Sequence, residues 1–244
     1  MANLFIKRFD MKYFNTFFTF VLCAASTALV AQERYLKPVF DQVSVQKDVV
    51  YGNNISVLSG APAPLDLKMN VFTPAGDQAK NRPAVLMFHT GSFLPPLFSG
   101  GITGSRTDSA VVETATRLAK LGYVVFNATY RQGWNPTATG ADGQDIRTGT
   151  LLNAAYRGIQ DARTLVRYIR KSVAENGNPY GVDPNKIAMW GHGTGGYISM
   201  GAAFLDRYKE EIVLEKFIGK DLKPYVATLL HGNLYGTTTT PLCL

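Results

Sequence analysis

The sequence predicts an α/β fold, a mostly parallel central sheet flanked by helices. Three observations carry that expectation. Short β-rich runs alternate with stretches of helical apolar spacing. One run, Ala84-Val-Leu-Met-Phe-His89, is continuously apolar, as in a strand buried on both faces. A glycine-dense segment from Gly191 to Gly196 joins a β-prone run directly to a helical one.

Taken in order, Asp66 to Phe72 alternates apolar and polar residues and predicts a half-exposed strand, stopped by Pro74 and Gly76. The Ala84–His89 strand follows. Asp108 to Leu121 has helical spacing, with Asp108 or Thr107 as N-cap and Gly122 as the C-terminal stop. Tyr123 to Thr129 is again β-rich. Tyr156, Ile159, Ala162, Val166 and Ile169 form one face of a long helix ending near Gly177. Ile187 to Trp190 reads as a short buried strand, Gly195 to Asp206 as a helix, and Tyr225 to His231 as one more strand. Ligands of such sheets sit beyond the carboxyl ends of the strands. The segments that matter are therefore His89 to Phe93, Tyr130 to Trp134 and Gly191 to Gly196.

Ahead of these elements, residues 13–31 carry no charge and follow Lys7, Arg8 and Lys12. A basic start, an apolar run and small residues before Ala31-Gln32 predict a signal peptide over residues 1–31 and one domain over 32–244. Cleavage is expected after Ala31, or after Ala28 with Ser26 upstream, and Met11 is an alternative start. The competing reading is an uncleaved anchor, since 19 uncharged residues approach spanning length. Cys23 follows Leu22 instead of a small residue, which disfavours lipid attachment. The expectation is a secreted or periplasmic protein of bacterial origin, with no stable membrane span once the signal is cleaved.

Removing the leader lowers the formal charge from +7 to +5, with 22 basic and 17 acidic residues left. Nowhere do Lys and Arg cluster with interleaved aromatics, so no nucleic-acid partner is expected. Cys23 and Cys243 lie near opposite ends, and the chain beyond the leader keeps one cysteine, which excludes a disulfide framework. His89, His192 and His231 share no metal spacing, although each follows a strand. Asp142, Asp145 and the glycines Gly140 and Gly143 form a polar loop without a Ca²⁺ register. No metal or cofactor is expected.

The glycine turn has two functional readings. Gly191, Gly193 and Gly196 satisfy G-x-G-x-x-G, with Glu215 about twenty residues on as the acidic partner of a dinucleotide. That fingerprint normally opens the first βαβ unit, whereas here four strands precede it. The other reading is the nucleophile elbow G-x-S-x-G. Here Tyr180-Gly-Val-Asp-Pro-Asn-Lys-Ile-Ala-Met-Trp-Gly-His-Gly-Thr-Gly-Gly196 resembles the Y-G-x-D-P-x-x-I-x-x-W-G-x-S-x-G-G approach of α/β hydrolases of the secreted carboxylesterase and lipase kind. Phe88-His-Thr-Gly-Ser-Phe93 resembles their H-G-G-x-F oxyanion turn, Tyr130-Arg131 their Y-R, and Asp161 to Arg170 the helix before the elbow strand. The resemblance runs from about Asp66 to Gly236. It implies an α/β-hydrolase fold with a carboxyl-ester substrate.

One departure bears on the chemistry. Where the family carries serine, this chain has Gly193, which has no side chain to attack anything. Thr194 is one residue further, at the helix entrance, where a hydroxyl caps or meets solvent. The triad also needs a base and an orienting acid after the elbow. Only 51 residues follow Gly193, with one histidine, His231, which reads as a strand-end polar residue. His192 reads as a turn residue, and Asp206 and Asp221 as surface charges. The expectation is a carboxylesterase-like protein that is catalytically degenerate or a fragment, its last strands missing. The resemblance leaves oxyanion-type donors on Gly91, Ser92 and Thr194, able to bind a small ester or carboxylate. Phe93 and Trp134 read as core or as the wall of an apolar pocket. The alternatives kept open are ester hydrolysis through a non-standard nucleophile or a missing segment, and dinucleotide binding.

Overall fold

The computed structural model describes residues 33–58, 61–95, 104–205 and 214–226. Residues 1–31 lie outside it, as do Asp206 and His231, so the signal-peptide reading and those two positions are not addressed by the fold. Five strands form one sheet: β1 (Val43–Ser56), β2 (Ala63–Pro74), β3 (Arg82–Phe88), β4 (Val124–Ala128) and β5 (Val182–Gly191). Among the described residues three α-helices accompany them: α1 (Ser109–Lys120), α2 (Gly143–Glu175) and α3 (Thr194–Phe204). The spatial order is β1-β2-β4-β3-β5. β2 pairs antiparallel with β1 and β4, while β3 pairs parallel with β4 and β5. Four strands therefore point one way and β2 the other, the mostly parallel α/β class expected.

The alternation of side chains sorts the core into two layers. Ala84, Leu86 and Phe88 of β3 face one layer with Phe126, Leu165, Ile169 and Ile198, contributed partly by α2 and α3. Val85 and Met87 face the other, with Val111, Ala115 and Ala119 of α1. Every one of these side chains is buried, so β3 is covered on both faces as its unbroken apolar run implies.

Several expected boundaries are corrected. The sequence pattern does not mark β1: its residues are mostly exposed, and register shifts at Gln46/Val49 and Val50/Gly52 break the period of two. β5 is longer than Ile187–Trp190, and of its residues only Val182 is buried. It ends the sheet order among the described residues, Lys186 and Ala188 are exposed, and Trp190 is 37% exposed. Pro184, which cannot donate to a ladder, fits that edge position. The polar stretch around Asp142 and Asp145 is the start of α2 and not a free loop, with Asp145 in its first turn. Asp108 precedes α1 as expected, but its carboxylate accepts the backbone N–H groups of Gly104 and Ser105 and does not cap the helix. Of the expected Tyr225–His231 strand only Tyr225 and Val226 are described; Tyr225 donates its N–H to Phe217 O and its hydroxyl to Asp145. Among the described residues no helix is long and apolar enough to cross a membrane.

Candidate functional site

The register sets the site. Phe88 is level with Ala128 of β4 and with Gly191 of β5, so the segments leaving these parallel strands emerge side by side. Tyr130 ties them together. Its hydroxyl donates to the carbonyl of His89 at 3.0 Å, with Thr90 O at 3.3 Å, and shares a hydrogen bond with Thr194 Oγ1 at 3.0 Å. Burial pushes that phenol up to about 12, so it stays protonated and does not act as a base for Thr194. Phe93 O accepts N–H groups from both Gly133 and Trp134, and His192 N–H donates to Phe88 O. The three segments singled out in the sequence thus form one hydrogen-bonded assembly.

Behind it, Asp161 is fully buried and holds the segment after β4. Its carboxylate accepts the Arg131 N–H at 2.8 Å and pairs with the Arg131 guanidinium, whose other arm donates to Gln160 Oε1. Arg157 lies alongside, its guanidinium lowered to about 10 by burial first and by Arg131 second. Desolvation raises the Asp161 carboxyl, and the Arg131 charge opposes that shift.

His89 is wholly buried, stacked on Tyr130 at 4.5 Å between ring centres, and donates Nδ1–H to Thr90 O. Burial lowers it to about 4, so it is neutral near pH 7. The sign follows from that depression: the neutral ring stabilises the fold fully above about pH 6.5, and the contribution is lost as pH falls towards 4. The full span is worth about 3 kcal/mol. In urea unfolding, the stability advantage of wild type over His89→Gln is expected to shrink by about that amount between pH 7 and pH 4. An advantage independent of pH would show that His89 does not titrate as a buried neutral ring.

The turn after β5 is an elbow. Gly191 ends the strand, Gly193 has φ 51° and ψ −117°, and α3 starts at Thr194. That φ/ψ pair lies outside the regions open to ordinary L-residues. Its flanking glycines are required by backbone contact. A Cβ on Gly195 would overlap Phe88 O, and one on Gly191 would overlap the Gly195 carbonyl. A Cβ on Gly196 would meet only Gly191 O, at an ordinary 3.6 Å. The close approaches therefore follow Gly191 and Gly195, the spacing of G-x-S-x-G. The dinucleotide fingerprint would place its third tight contact at Gly196, and Glu215 opens a short 3₁₀ turn at Glu215–Phe217.

Opposite the elbow, Gly91, Ser92 and Phe93 all have positive φ, at 132°, 55° and 56°. Among the described residues no hydrogen bond takes the backbone N–H of Gly91, Ser92 or Thr194. Phe93 is buried edge-on against Tyr130, and Trp134 is partly buried and packs on the main core. His192 lies edge-on to Trp190, 5.0 Å away. Asp221 is exposed, as expected of a surface charge. No group of three or more His, Cys, Asp or Glu side chains comes together among the described residues. The sequence does not reveal the tie through Tyr130 beyond its place in the Y-R pair.

No family model and no curated protein matches the chain. Solved structures do. Thermogutta terrifontis esterase 2 phosphorylated by paraoxon is similar at 23% identity over 66% of this chain and 47% of that one, with a TM-score of 0.39. A bacterial heroin esterase is similar at 24% identity over 77% and 46%, TM-score 0.41. A truncated carbohydrate esterase from gut microbiota is similar at 15% identity over 68% and 44%, TM-score 0.38. The chain spans a little under half the length of these structures.

Proposed function

We propose that this chain is a carboxylesterase-like protein of α/β-hydrolase fold that binds an acyl or carboxylate group without hydrolysing esters. The observation that carries this reading is the elbow: its flanking glycines are packed backbone to backbone, yet its apex is Gly193. The neighbouring N–H groups of Gly91, Ser92 and Thr194 suit a carbonyl or carboxylate oxygen. The nearest hydroxyl on the elbow, Thr194 Oγ1, is tied to a phenol that stays protonated, so no described group takes its proton. Export fits the charge and apolar pattern of residues 1–31, and the ligand is then a small extracellular or periplasmic ester or acid.

Purified protein incubated with short-chain nitrophenyl esters is expected to release nitrophenol no faster than buffer. Turnover that Thr194→Ala abolishes would overturn this reading in favour of a non-standard nucleophile. Saturable NADH fluorescence would instead favour the dinucleotide reading.

A further inference from the structure

We propose that the Thr90 hydroxyl stands in the space of the missing nucleophile, so that Thr90 and Gly193 form a coupled pair. Thr90 occupies the second position of His89-Thr90-Gly91-Ser92-Phe93, where the H-G-G-x-F pattern has glycine. Its main chain is pinned, because its carbonyl accepts His89 Nδ1–H at 2.5 Å and lies 3.3 Å from the Tyr130 hydroxyl. From that fixed position its side chain reaches across to the elbow. A Cβ built on Gly193 would overlap Thr90 Oγ1 and come within 3.2 Å of Thr90 Cβ.

Rotation relieves this only in part. A β-branched side chain fills two of the three staggered positions at χ1, so swinging the hydroxyl away brings the methyl into the same place in all but one rotamer. Glycine at 193 and threonine at 90 are therefore mutually consistent, while serine at 193 confines Thr90 to one rotamer and is better matched by a smaller residue there. The consequence is a hydroxyl beside the elbow apex that is carried by the oxyanion turn instead of the elbow. Its role toward a ligand, a hydrogen bond to the bound carboxylate or carbonyl oxygen, rests on the function proposed above; its steric role does not.

The test uses the full chain in four forms: wild type, Gly193→Ser, Thr90→Gly and the double variant. Serine at 193 is strained by its φ in both backgrounds, so that cost cancels in the comparison. Gly193→Ser alone is expected to lower Tm by about 5 °C or more. In the Thr90→Gly background the same change should cost less than half as much. Soluble double variant from an insoluble single one supports the pairing. Equal losses in the two backgrounds, or insolubility in both, overturns it. Separately, butyrate titrated into wild type and Thr90→Val, which keeps the shape and removes the hydroxyl, should bind the variant roughly fivefold more weakly. Equal binding removes the ligand role from Thr90. No butyrate binding to wild type strikes the acyl-binding function, and the melting comparison still decides the pairing.

Discussion

Asp161→Ala is expected to cost about 3–5 kcal/mol, the scale of removing one partner from a buried ion pair. The carboxylate has no solvent exposure and accepts both backbone and guanidinium N–H groups of Arg131. Its removal leaves Arg131 buried without its counter-charge and Arg157, 8% exposed, without the nearest opposing charge. Natural domains hold only about 5–15 kcal/mol in total, so the variant should unfold at a much lower urea midpoint or fail to accumulate. Replacing both partners, as in Arg131→Met with Asp161→Leu, should recover part of the loss, because Arg131 is no longer stranded and its repulsion of Arg157 goes with it, while Arg157 still lacks Asp161. A single variant as stable as wild type would show that the pair does not hold the segment after β4.

The second large effect separates two adjacent glycines. Gly195→Ala places its Cβ against the Phe88 carbonyl and within 2.9 Å of His89 O, both main-chain atoms that cannot rotate aside. We expect a loss of about 3 kcal/mol or more, at or beyond the upper end for overpacking. Gly196→Ala meets only one atom at 3.6 Å, and alanine is the better helix former by roughly 0.5–1 kcal/mol, so it should be neutral or stabilising. Chemical denaturation of the two variants reads this contrast directly. Equal losses would mean that α3 does not pack on the end of β3 through Gly195.

Those two effects also mark what the sequence made legible. The elbow was readable because close backbone packing leaves glycine as the only option, and Gly191 and Gly195 announce it. The Y-R pair and the Asp161–Arg170 segment of α2 were readable as parts of a resemblance. Their physical content, an ion pair closing over 30 residues, needed the fold. β3 was clear because burial on both faces demands an unbroken apolar run. β1 was hidden by its bulges and exposure, and the extent of β5 by its polar start at Asp183-Pro-Asn-Lys186. Thr90 is visible in the sequence only as a departure from the glycine of H-G-G-x-F; what its side chain meets, Gly193 more than a hundred residues away, needed the fold.

That separation has a price in chain entropy. β1 and β2 meet across a sequence separation of seven, Ser56 to Ala63, whereas Phe88 and Gly191 become neighbours only when a separation of 103 closes. On a logarithmic closure scale the longer loop costs about 2 kcal/mol more. Among the described residues the elbow is thus assembled from the most distant pairing in the sheet, and its strand ends the sheet order. The part of the molecule with the most exacting local geometry is also the part whose contacts local structure does least to bring together.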